Sequence, residues 1–196
     1  MKRTLLLLIT LLFFENICFG QIGTSKNEVF NKEFNWHITI PNNFKSLSAD
    51  DYTKLQQKGV NAMEKTTDSK IENNSTPIFA FRADQLHYFE SNSQPFDTIK
   101  DGNYAEVSKE VYNILFETFK QQMPSAKLDS SLSTEIIDKL TFIRLNILIT
   151  LPNKVVINML MYNRLFDKKE LTVTMMFVDK DKGDMLLNAW RNSRFE

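Results

Sequence analysis

Chemistry in this chain would have to start from its two histidines, His37 and His87. A histidine serves as general base or zinc ligand when other donor groups stand around it, and neither has a His or Cys at ligand spacing. Each therefore reads as a structural or surface histidine; a hydrolase or metal-assisted enzyme using His37 or His87 with nearby carboxylates is the alternative. Asp179, Asp181 and Asp184 around Gly183 resemble the start of a calcium loop, but glycine holds the fifth place, Asp184 the sixth, and Trp190 the twelfth, where a bidentate glutamate is required. They suit a solvated turn, with Asp181 or Asp184 capping the next helix. Glu106, Glu110 and Glu117 stand among Lys109 and Lys120 at i, i+3 helical spacing, which is the pattern of a solvated helix face.

Binding chemistry is better supplied. Arg144 and Asn146, with Asn158 and Arg164 further on, interrupt apolar stretches and could line a groove with arginine as anion clamp. Met159, Met161, Met175 and Met176 are adaptable side chains that suit either core filling or a promiscuous apolar surface. These eight residues are the candidate ligand or partner surface. There is no Gly-x-Ser-x-Gly elbow and no glycine-rich phosphate loop in a chain with five glycines, so no catalytic residue, cofactor or metal ligand is assigned.

The elements that would position these residues follow from periodicity. Residues 34–40 alternate, with Phe34, Trp36, Ile38 and Ile40 on one side, as a half-buried strand does. Ser48 with Asp51 resembles a capping box and opens a helix over 49–65. Residues 77–84 and 86–90 read as strands and 91–102 as a loop. From Tyr104, the residues Val107, Val111, Ile114, Leu115 and Phe119 recur at helical spacing until Pro124. Stretches 140–151, 155–166 and 171–178 form an antiparallel meander, and 184–192 a terminal helix. The meander strands are apolar on both faces and need helical cover on both.

The start of the chain has a different character. Lys2 and Arg3 precede an apolar run from Leu5 to Phe14 that turns polar at Glu15. A run of about ten residues suits a signal peptide and is too short to span a membrane. Residues 1–20 are therefore expected to be a signal peptide cleaved after Gly20, 21–33 a flexible leader, and 34–196 a single domain. Cys18, the one cysteine, would leave with the leader, so the mature chain would have no disulfide or thiolate chemistry. Removing Lys2, Arg3 and Glu15 leaves 22 basic against 23 acidic residues, a balance that favours neither nucleic acid nor an anionic membrane surface. The mature chain has no apolar run of membrane length.

The strand ending Ile38-Thr39-Ile40-Pro41 before Phe44 and Lys45, the long middle helix, and the closing run from Asn163 to Phe195 resemble the PsbP/Mog1-like superfamily, including its bacterial DcrB-type and DUF1795-type exported domains. In the closing run, LTVTMMFVD leads into a helix, and Ser193, Arg194 and Phe195 resemble the family's ending. The resemblance implies an α+β fold, an antiparallel sheet flanked by helices on both faces, and a mostly non-enzymatic role with no family-wide catalytic residues. The expectation is an exported non-catalytic domain, periplasmic or secreted if bacterial, that binds an envelope protein partner or an apolar ligand.

Overall fold

The computed structural model describes residues 27–71 and 73–196. The expected signal peptide, its cleavage site and Cys18 lie outside the described residues.

Among the described residues, ten strands and three helices follow in the order β1 (Glu28–Asn31), β2 (Trp36–Thr39), β3 (Lys45–Ser46), α1 (Ala49–Thr67), β4 (Thr76–Asp84), β5 (His87–Pro95), α2 (Tyr104–Gln122), β6 (Lys127–Ile137), β7 (Leu140–Thr150), β8 (Val156–Phe166), β9 (Lys169–Phe177), α3 (Lys180–Arg191) and β10 (Arg194–Phe195). The fold is α+β. A seven-stranded antiparallel sheet in the order β3-β4-β5-β9-β8-β7-β6 is packed by α1 and α2 on one face. On the other face lie α3 and a small sheet, β1-β2-β10.

Two apolar layers hold these parts together, because a sheet apolar on both faces must bury both. Beneath α1 and α2, Met63, Val111, Leu115 and Phe119 meet Leu145, Ile147, Met159, Met161 and Met176. Beneath α3 and the small sheet, Trp36 and Trp190 pack edge to face with ring centroids 5.8 Å apart. Phe81, Phe89, Phe142, Tyr162 and Met175 surround them.

Local chemistry sets the element ends. Ser48 Oγ accepts from Asp51 N at 3.2 Å and caps α1; Asn103 Oδ1 accepts from Ala105 N and Glu106 N and caps α2. Asp179 caps α3 by accepting from Lys182 N at 2.9 Å. The expected caps, Asp181 and Asp184, instead lie inside the helix, which starts at Lys180, four residues before the expected start at 184.

Three further differences from the sequence reading concern strands. Residues 28–31, expected in a flexible leader, form β1 and pair with β2 from Glu28 opposite Thr39 to Asn31 opposite Trp36. Strand β5 runs on through Ser91–Asn92–Ser93–Gln94, which carries no apolar alternation. Strand β6, polar and mostly exposed, joins β7 through a two-residue turn in which Asp138 and Lys139 both have positive φ, 44° and 66°, the geometry that suits a tight hairpin.

Candidate functional site

Strand β5 is buried from His87 to Gln94 although six of these eight residues are polar. Its side chains alternate between faces. Phe89, Ser91 and Ser93 point toward α3 and the small sheet, where Ser93 Oγ donates to Glu33 Oε2 at 3.0 Å. Glu90, Asn92 and Gln94 share the α2 face with their cross-strand partners on β9, Thr174, Thr172 and Glu170. Asn163 of β8 stands opposite Thr172 and extends this polar seam by one strand.

The seam ends beneath the first turns of α2 in a cavity of about 400 Å³, lined among others by Gln94, Phe96, Tyr104, Tyr112, Asn163 and Glu170. Glu170 is its floor. Glu170 Oε1 accepts from Asn163 Nδ2 at 2.5 Å and from Tyr104 hydroxyl at 3.1 Å. Gln94 Nε2 donates to Oε2 of the same carboxyl. Asn163 Nδ2 also donates to Thr172 Oγ1, and Asn163 Oδ1 accepts from Tyr112 hydroxyl at 2.8 Å. Two tyrosines on α2 are thus tied to two side chains of the sheet, Glu170 and Asn163.

Electrostatics follow from burial. Burial pushes the Glu170 carboxyl above its ordinary range, and the donors Asn163, Gln94 and Tyr104 offset only part of that. Burial likewise raises the Tyr104 and Tyr112 hydroxyls, with the nearby Glu170 charge adding to the effect, so both remain protonated donors. Next along the seam, Tyr52 of α1 donates to Ser91 O at 2.7 Å; burial and then the Glu90 charge raise its hydroxyl too. Asn92 Nδ2 lies at the cavity wall without an acceptor at standard hydrogen-bond geometry. The mouth carries charges of both signs, Asp97, Asp101, Lys100 and Lys168. It is shaped by a loop in which Asp97 N donates to Asp101 Oδ2 at 2.7 Å.

The eight residues expected to form one surface divide between the two sheet faces. Met159, Met161 and Met176 fill the layer under α1 and α2, while Met175 fills the opposite layer. All four methionines are core residues. Arg144, Asn146, Asn158 and Arg164 share the α3 face with Phe142 and Tyr162. The two arginines are held differently: Arg144 Nη1 pairs with Glu135 Oε2 at 3.3 Å, whereas Arg164 Nη1 donates to Thr141 O at 2.7 Å and its guanidinium lies over the Phe166 ring. Asn146 and Asn158 are half-buried. Only Met161 of the eight reaches the cavity.

The histidines are also apart from it. His37 sits on β2, 3.6 Å from Glu28 Oε1 and against the Phe30 ring. His87 is buried, its Nδ1 2.6 Å from Asp84 Oδ1, and its Nε2 accepts from Asp179 N at 3.0 Å. With Nε2 accepting, Nδ1 carries the proton donated to Asp84, and both nitrogens are engaged in joining the β4–β5 turn to the start of α3. Among the described residues no three His, Cys, Asp or Glu side chains cluster to hold a metal ion.

The cavity residues escaped sequence reading because Gln94, Asn163 and Glu170 come from three strands and have no shared spacing. The available signal was a polar run, Ser91 to Gln94, on a chain that otherwise pairs apolar strands.

The architecture, a large antiparallel sheet between helical layers, is that of the PsbP fold. A solved structure of cyanobacterial PsbP (CyanoP) from Synechocystis sp. PCC 6803 superposes with a TM-score of 0.53 over 92% of this chain and 98% of that one, at 12% identity. This likeness shows the fold alone. No family model and no curated protein matches the chain. No helix among the described residues is long and apolar enough to cross a membrane.

Proposed function

We propose that this protein is an exported, non-catalytic binding domain of the DcrB or DUF1795 type, and that its site is the cavity under α2. Export rests on the leader pattern of Lys2, Arg3 and the apolar run to Phe14. The observation that carries the binding reading is Glu170, a buried carboxyl at the floor of an open cavity, ringed by amide and hydroxyl groups. Such a floor favours a small polar ligand able to exchange hydrogen bonds with carboxyl, amide and phenol groups. An apolar ligand is disfavoured, because the methionines that would have received it are packed into the core. Catalysis has no support in the site: Glu170 is held by three donors, and neither histidine reaches it.

The test is a titration of isotopically labelled protein with panels of sugars, amino acids and amines, following the side-chain amides of Gln94 and Asn163. A binder should shift both resonances and lose affinity roughly tenfold or more in Asn163→Ala, since a partner group is left unpaired. A ligand that binds while leaving these amides unmoved would place the site elsewhere.

A further inference from the structure

Among the described residues, strand β6 forms one edge of the seven-stranded sheet and pairs only with β7 over its whole length, from Lys127 opposite Thr150 to Ile137 opposite Leu140. At the other edge β3 spans two residues. Natural sheets protect long edges with proline, charge or a bulge, because unpaired backbone N–H and C=O groups invite another strand. On the α2 face β6 has none of these. Leu128, Ser130, Leu132, Thr134 and Ile136 are uncharged, and Leu132 and Ile136 are 50% and 70% exposed. The register with β7 is unbroken.

We infer that β6 is the pairing edge of a symmetric homodimer, two copies aligning antiparallel with Leu132 opposite Leu132 of the second copy. The occupant follows from the spacing of the strand itself. Leu128, Leu132 and Ile136 are evenly spaced about Leu132, so a two-fold axis there brings Leu132 onto its own copy and Leu128 onto Ile136 at both ends. Three apolar cross-strand contacts form on the α2 face from residues that are otherwise half or more exposed at the centre and one end.

On the α3 face the same register sets like charges opposite each other, a cost that ion pairs within each copy reduce. Asp129 comes opposite Glu135 of the second copy, but each already has a cation: Lys127 Nζ lies 2.9 Å from Asp129, and Arg191 and Arg144 hold Glu135. Lys127 becomes the diagonal neighbour of the second copy's Glu135, close enough for a long side chain to reach. Moving the axis by one residue to Ser131 sets Leu132 against Ser130 and loses the apolar contacts. No residue of β6 lines the cavity, so the dimer does not depend on the ligand reading above.

The register is tested with single cysteines in a chain whose native thiol is removed by Cys18→Ser. Across an antiparallel pair the Cα atoms of opposed residues lie about 4.5 to 5.5 Å apart, within disulfide range. Leu132→Cys should therefore oxidise to a covalent dimer. Ser130→Cys should not, since the two copies of residue 130 would stand about 13 Å apart, four residues along the strand. A mixture of Leu128→Cys and Ile136→Cys chains should yield the mixed dimer over either homodimer, roughly tenfold in favour. Sedimentation of the Cys18→Ser parent should show association that Leu132→Lys weakens roughly tenfold, by setting like charges opposite each other. Equal crosslinking at 130 and 132, or a parent that stays monomeric at millimolar concentration, overturns the inference.

Discussion

The Tyr104 hydroxyl of α2 donates to Glu170 Oε1 of β9 across 3.1 Å, so the helix that roofs the cavity is hydrogen-bonded to the cavity floor. Tyr112, two turns further along, repeats the arrangement through Asn163. Helix position and cavity shape are consequently one property: α2 cannot lift without breaking bonds to buried polar groups.

Tyr104→Phe removes the first of these bonds while keeping the ring against Phe96, whose centroid lies 5.2 Å away. A buried acceptor losing one of its donors costs about 1 to 2 kcal/mol. Urea denaturation should show that loss, and amide exchange in the first turns of α2 should quicken. A variant as stable as the parent would mean that the Tyr104 bond contributes nothing net.

Glu170 gives stability a pH dependence whose sign can be stated. Burial, offset in part by Asn163, Gln94 and Tyr104, raises its pKa in the folded state. The folded chain then binds this proton more tightly than the unfolded chain, so Glu170's contribution falls as pH rises from about 4.3 through the raised value. Glu170→Gln cannot ionise and should flatten that slope relative to the parent. The measurement is the urea midpoint from pH 4.5 to 8 for both proteins. Parallel curves would show that Glu170 ionises as easily in the cavity as in the unfolded chain.

Sequence alone conveyed elements with a strong period. Helix α2 begins at Tyr104 as its stripe implies, and the β7–β8–β9 meander follows from alternating Ile143, Leu145, Ile147 and Ile149 with turns at Pro152 and Asp167. Strands whose side chains are polar were illegible. The side chains of Ser91, Ser93 and Gln94 are buried because hydrogen bonds, and not apolar contacts, satisfy them; β6 is polar because it is an edge. The eight-residue surface failed to form for a reason of parity. Met175 and Met176 are adjacent in a strand and must point to opposite faces, so a cluster containing both cannot share one surface.

The Asp84 carboxyl joins three elements, contacting His87 Nδ1 at 2.6 Å and Lys182 Nζ at 2.7 Å. Burial would raise its pKa, but hydrogen bonds from Lys182, His87 and Leu86 N outweigh burial and hold it at about 2. A lowered carboxyl stabilises the fold above its unfolded value of about 3.9 and loses that contribution as pH falls toward the folded value. Asp84→Asn should therefore lie below the parent at neutral pH and converge with it between about pH 4 and 2. A constant gap across that acid range would show that the charge of Asp84 is not what matters.

His87→Phe tests the same junction from its buried side. The ring volume is nearly kept, but the Asp179 amide loses its acceptor, at a cost of about 2 kcal/mol. The start of α3 should fray, visible as faster exchange of the Lys182 and Gly183 amides. If His87 were instead a catalytic base, its loss would abolish an activity and leave stability unchanged.

Gly183 is helical, so replacing it with alanine would ordinarily stabilise α3 by about 1 kcal/mol. Here a Cβ would stand 2.4 Å from Phe177 Cδ2 and 2.8 Å from Cγ, inside contact distance near the base of the ring, where the side chain has little freedom to swing away. Relief requires moving either α3 or the end of β9, and overpacking of this kind costs about 1 to 3 kcal/mol. Steric cost exceeds propensity gain, and Gly183→Ala should be destabilised by about 1 to 2 kcal/mol. Removing the obstacle reverses the sign: in a Phe177→Ala background the same substitution should become neutral or stabilising. A double-mutant cycle by chemical denaturation reads the coupling between the two sites. Additivity would show that the close approach of Gly183 to Phe177 does not explain why glycine occupies the first turn of α3.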